Sequence, residues 1–138
     1  MPVKTFLDLD VYQLARQFAK EIFYLTLTFP PEEKYSLTNQ VRRSSRSVPS
    51  NIAEGWGKRI YINSFKRHLV DANGSLEESK SWLISALDCN YIALEIFDDL
   101  TIKAEAIGGK LWNLHDRWQD FENKILNHVL TSYLILLQ

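Results

Sequence analysis

The chain predicts an all-α fold, an antiparallel up-down-up-down four-helix bundle in which residues 1–138 form one domain. Three observations carry that expectation. Apolar residues recur at steps of three and four through four long segments. The breaks between those segments are short, which favours antiparallel neighbours. No stretch alternates apolar and polar residues as a half-buried strand would.

The first helix is expected from about Asp8 to Thr28. Asp8 or Asp10 can cap it, and acids in the first turn suit the helix dipole. Val11, Leu14, Ala15, Phe18, Ile22 and Leu25 form its apolar stripe. Pro30-Pro31 stops it, because proline cannot continue the hydrogen-bond ladder.

The second is expected from Ser36 or Leu37 to Glu54, with Leu37, Val41, Ser44/Ser45, Val48 and Ile52 facing inward. Pro49 lies inside this pattern, so a bend or loosening is expected near Ser45–Pro49. Gly55 and Gly57 suit a helix C-terminus and a tight turn.

The third is expected from about Ile62 to Asn90. Phe65, Leu69, Ala72, Leu76, Ser79, Leu83 and Ala86 hold a seven-residue repeat. Gly74 lies off that stripe, where it costs roughly 1 kcal/mol relative to alanine. A close approach by another helix would explain it.

The fourth is expected from about Leu94 to Val129. Phe97, Leu100, Ala104, Ile107, Leu111, Leu114, Trp118, Phe121 and Ile125 keep register across Gly108-Gly109. The tail VLTSYLILLQ is apolar nearly all round. It is expected to dock on the bundle or on another subunit.

Composition narrows the function. Residues are 46% apolar, enough for one core. Cys89 is the only cysteine, so no intrachain disulfide can form, and a reducing cytoplasm is the expected compartment. MPVKTFLDLD lacks a signal-peptide apolar run, and no 18-residue charge-free apolar stretch exists, so no membrane association is expected.

Charge is unevenly spread. Residues 40–70 carry seven Lys/Arg against Glu54, whereas residues 71–138 carry five against eleven acids. The seven are Arg42, Arg43, Arg46, Lys58, Arg59, Lys66 and Arg67. A block of this kind suits a polyanion or an acidic protein surface. Arginine forks match phosphate geometry. A solvated face with local pairs such as Arg67–Asp71 would use the same residues.

The stretch FPPEEKYSLTNQVRRSSRSVPSNIAEGWGK (29–58) resembles the four-helix-bundle proteins encoded in intervening sequences of bacterial 23S ribosomal RNA. FKRHLVDANGSLEES (65–79) and, more weakly, LDCNYI (87–92) extend the match. The pattern is Phe-Pro-x-x-Glu, Leu-x-x-Gln-x-Arg-Arg, Ser-x-Pro-Ser-Asn-Ile-Ala-Glu-Gly-x-Gly, then Gly-Ser-Leu-x-Glu. Here those positions are Phe29, Pro30, Glu33, Leu37, Gln40, Arg42, Arg43, Ser47 to Gly57, and Gly74 to Glu78. Ser44-Ser45-Arg46 departs, since the family more often has small apolar residues there. More distant similarity runs to accessory variability proteins of diversity-generating retroelements. The resemblance implies a homopentameric ring that binds structured RNA. Its distant branch implies a protein scaffold for a reverse transcriptase.

Other chemistry finds little footing. Asn51, Glu54 and Glu78, with Arg43, suit a structural polar network that fixes the register of helices two and three. Glu-x-x-His, the di-metal signature of bundles, is absent before His68, His115 and His128, so no metal or cofactor is expected. His68, beside Arg67, reads as basic surface. Cys89 reads as core, not as a nucleophile. Trp56 could stack on a base or anchor the turn, and anchoring is favoured. Trp82, Trp112 and Trp118 read as packing residues. No enzyme is expected; RNA binding leads and a protein scaffold follows.

Overall fold

The computed structural model describes residues 2–138, with the side chain of Phe121 outside that description. The stripe position assigned to Phe121 therefore lies outside the described side chains. Among the described residues five α-helices occur: α1 (Asp10–Thr26), α2 (Leu37–Gly57), α3 (Ile62–Asp88), α4 (Leu94–Asp116) and α5 (Trp118–Leu136). Short 3-10 turns cover Phe6–Asp8 and Pro31–Glu33, and no strand occurs among the described residues.

Helices α1 to α4 enclose one core. Phe18, Ile22, Val48, Ile52, Phe65, Leu69, Leu76, Ile107 and Leu111 are almost completely buried. Leu14 departs from the expected stripe and is 40% exposed. Antiparallel register is read directly from facing side chains. Along α2 and α3 the partners are Ser44–Ser79, Ser47–Ser75 and Asn51–His68, one number falling as the other rises, and Arg43–Glu78 lies beside the first of them. Lys103 bonds Glu21 of α1 at 2.7 Å, and Lys80 bonds Glu105 of α4 at 2.6 Å. Each of α1 to α4 thus lies between two antiparallel neighbours.

The entry to α1 differs from expectation. Leu9 occupies the N-cap without a side-chain bond. Asp8 instead closes a capping box with Thr5 over the preceding turn. The Phe-Pro-x-x-Glu segment has a clear local role. Glu33 accepts from the Leu37 amide at 3.0 Å, capping α2, and its other oxygen accepts from the Tyr91 hydroxyl at 3.1 Å.

Pro49 does not interrupt the α-helical assignment of α2. Glycine roles differ in part from those read in sequence. Gly57 is the last residue of α2, the helix C-terminus expected of it, whereas Gly55 lies inside the helix and the cap is Lys58. Gly74 has nothing within 4 Å of where a Cβ would sit, so the expected close approach is absent there. It occurs at Gly55, whose Cβ would stand 2.8 Å from His68 Cβ. Asn90 ends α3 in the left-handed region at φ 60°. The Tyr91 amide reaches Ala86 O at 2.9 Å and the Asn90 amide reaches Leu87 O at 3.0 Å, the paired bonds of a Schellman stop.

The expected single fourth helix is divided. Arg117, at φ −110° and ψ 21°, leaves helical geometry for one residue. Trp118 then turns into the end of the bundle, 4.4 Å from Phe65 and 6.2 Å from Trp56 between ring centres. Beyond it α5 departs. Every residue from 126 to 138 is exposed. The apolar tail therefore does not dock on its own bundle. Cys89 is also exposed, not core, because it caps α3 where the chain turns out to solvent.

Candidate nucleic-acid interface

The basic residues gathered in sequence project onto different surfaces. Arg42 and Arg46 lie four apart on α2 and lean toward α1. The Arg42 guanidinium sits 4.7 Å from the Phe23 ring centre, and its Nε donates to Thr26 Oγ1 at 2.7 Å. Arg46 covers the same ring at 5.4 Å. Cation–π contact holds both heads over an apolar base while leaving their outer N–H groups to solvent.

Arg43 leans the other way, toward α3. It meets Glu78 at 3.0 Å and Gln40 at 3.2 Å. The Arg43 side chain is 58% exposed, so the pair lends register more than stability. The expected Arg–Glu link between helices two and three is present, at the surface.

Asn51 and Glu54 join a separate cluster, about two to three turns further along α2. Its centre is His68, which sequence reading assigned to basic surface. The His68 side chain is only 15% exposed. Its Nδ1 meets Asn51 Oδ1 at 3.2 Å, and Asn51 Nδ2 donates to Ser47 O at 2.9 Å. The neighbours set the tautomer: Nδ1–H donates to Asn51, and Nε2 accepts from Lys58 Nζ at 3.2 Å. Lys58 also pairs with Glu54 at 3.2 Å, and Glu54 lies 3.7 Å from His68. The missed signal was spacing: Asn51, Glu54 and Lys58 line one side of α2, and Gly55 among them lets α3 approach.

Below that cluster runs a seam of small hydroxyls. Ser79 Oγ bonds Ser44 Oγ at 2.8 Å, both side chains fully buried, and Ser75 Oγ bonds Ser47 Oγ at 3.0 Å. Ser44 and Ser45 therefore do what small apolar residues would do in packing, with the hydroxyls satisfied locally.

Arg59 folds over Trp56, 4.3 Å from its ring and 3.0 Å from its carbonyl oxygen. Trp56 itself is 5% exposed and packs against Phe65 and Trp118. It anchors the bundle end and offers no face for a base to stack on. Trp112, by contrast, is 44% exposed. Lys66 is half-buried and Arg67 exposed on α3. Helical rise separates Arg46 from Lys58 by about 18 Å, so the block makes a forward group and a rear group, not one patch. No three His, Cys, Asp or Glu side chains converge among the described residues. No helix among them is long and apolar enough to cross a membrane.

The fold and its surfaces define an all-α helical-bundle protein with cationic surfaces on α2 and α3. Residues 7–113 match the family model of the 23S rRNA-intervening sequence protein, and the chain belongs to that family. A similar solved structure is the crystal structure of a protein of unknown function from the S23 ribosomal protein family of Bacteroides thetaiotaomicron. The two are 23% identical, with a TM-score of 0.70 over 77% of this chain and 95% of that one. Comparison with curated proteins gives no match. The family match ends before α5, which starts at Trp118.

Proposed function

We propose that this protein is a non-enzymatic, cytoplasmic RNA-binding assembly that works as a homo-oligomer, a ring of five copies by resemblance. One observation carries the RNA reading. Of the seven cations in residues 40–70, only Arg43 and Lys58 have a carboxylate partner among the described residues. Arg42, Arg46, Arg59, Lys66 and Arg67 keep uncompensated charge at or near the surface. Uncompensated arginine and lysine heads attract phosphate, and a ring would repeat them. The family's own description, tied to an rRNA intervening sequence, agrees with that chemistry. Structured RNA is recognised largely through shape and backbone. No cofactor or metal enters this reading.

A second reading is a protein-interaction scaffold, for example one that holds a reverse transcriptase. The exposed apolar length of α5 favours it, since such a surface suits a protein partner.

The test replaces Arg42, Arg46, Lys66 and Arg67 with glutamine, and leaves Lys58, which bonds Glu54 and His68. Arg43 stays, because its loss would also break the Glu78 link. Binding to a structured RNA is titrated against salt, wild type beside variant. The variant is expected to bind more weakly, with a shallower salt dependence. Unchanged affinity, or no wild-type binding at low salt, would overturn the RNA reading in favour of the scaffold.

A further inference from the structure

The surface between α1 and α2 holds a groove of about 550 Å³. It exists because the facing positions are short: Ala19, Ser50 and Ala53 leave the two helices with nothing to fill the gap. Its walls have a distinct composition. Three cations line it, Arg16, Lys20 and Arg46, and no carboxylate does. All three are exposed. Arg16 bonds only Gln13, at 3.4 Å, and Lys20 has no side-chain partner among the described residues.

Aromatic rings close both ends. Phe6 and Tyr12 meet edge to face at 4.8 Å between centres, and Phe23 and Tyr24 do so at 5.3 Å. Tyr24 is 58% exposed. Along α1, Tyr12, Arg16, Lys20 and Tyr24 stand four apart, in a row that winds about 120° round the helix along the groove. The rise of a helix sets Tyr12 about 18 Å from Tyr24 and Arg16 about 6 Å from Lys20. Rings at the two ends with cations between them, and no acid, match a short single strand: bases on the rings, phosphates on the cations.

We propose that this groove binds unpaired nucleotides of RNA. The inference rests on the RNA reading above and extends its surface onto α1, where Arg16 and Lys20 join Arg46 of the basic block. A duplex cannot use the rings, because its bases are already stacked, so the groove selects single-stranded loops or ends. An acidic peptide would satisfy the cations but leave the exposed Tyr24 ring without a stacking partner, so RNA is the better fit.

The experiment uses the full chain and three probes: a labelled oligouridine, a closed RNA hairpin duplex and polyglutamate. Arg16→Gln/Lys20→Gln and Tyr24→Ala are compared with wild type and with Lys124→Gln, a cation outside the groove. All are surface positions, and circular dichroism checks each fold. The double variant is expected to lower oligouridine affinity and to reduce the salt slope by about 1.4, two contacts at single-strand density. Tyr24→Ala is expected to lower affinity about fivefold or more with the slope unchanged. Lys124→Gln and duplex binding should be nearly unaffected. If wild type binds RNA but the groove variants bind oligouridine as well as it does, this site is overturned and the RNA reading survives. If wild type binds no RNA, both fall. Tighter binding of polyglutamate than of oligouridine would assign the groove to an acidic protein segment. A change of oligomeric state with RNA affinity intact would assign it to contact between copies. Either result overturns the proposal.

Discussion

Gly55 on α2 lies against His68 on α3 so closely that a Cβ on the glycine would stand 2.8 Å from the histidine Cβ. The obstacle is near the α3 backbone, so a rotamer change cannot relieve it. Gly55→Ala should force the helices apart and disturb the Asn51–His68–Lys58 bonds above. The expected loss is about 1–3 kcal/mol, the usual cost of overpacking a filled interior. Gly74→Ala, which meets nothing within 4 Å, should be neutral or stabilising. Urea denaturation of the two variants compares them. Equal stability would mean that α3 yields at Gly55.

The Ser44–Ser79 hydroxyl pair offers a second test. Ser79 keeps a second bond to Ser75 O at 2.9 Å, and Ser44 one to Val41 O at 3.3 Å. Either hydroxyl can thus lose its partner without being orphaned. Ser44→Ala and Ser79→Ala should each cost no more than about 1 kcal/mol. The double variant should cost less than their sum, because the second change removes a bond already lost. A double-mutant cycle by thermal melts measures the coupling.

The α5 helix should be dispensable for the bundle. Its anchor is Trp118, and everything from residue 126 onward is exposed. A chain ending at Glu122 keeps Trp118 and should unfold cooperatively with the helical signal of α1 to α4. Sedimentation equilibrium of full and shortened chains then separates folding from assembly. A monomeric full chain at micromolar concentration would count against the proposed oligomer.

High pH should loosen α4. Lys80 is raised above its ordinary 10.5 chiefly by its bond to Glu105, and Lys103 above the same value chiefly by its bond to Glu21. A raised ammonium pKa in the fold means stability that is fully present below the unfolded value and lost as pH climbs through the folded one. The loss should therefore begin above about pH 10.5. Lys80→Met should flatten that part of the profile. Thermal melts between neutral and strongly alkaline pH would show it, and an identical profile would argue that the surface bonds are too weakly held to matter.

Much of the bundle was written in local pattern. Three- and four-residue spacing of Phe18, Ile22, Phe65, Leu69 and Ile107 specified helices and their buried faces, because a helix returns to the same side at that interval. Pro30-Pro31 marked the end of the first helix through its own backbone chemistry. Local pattern was silent where the outcome depended on a partner. The apolar register runs unbroken through Arg117, so only the packing of Trp118 against Phe65 reveals the break. His68 reads as one more cation until α2 brings Asn51, Glu54 and Lys58 around it. Arg42 and Arg43 are adjacent in sequence, yet about 100° of helical turn sends one to Phe23 and the other to Glu78. The sequence by itself determined the helices and the amount of charge. Tertiary structure alone decided which cations meet an acid, which cover a ring and which remain for a ligand, because those contacts join residues that only the fold brings within a few ångströms.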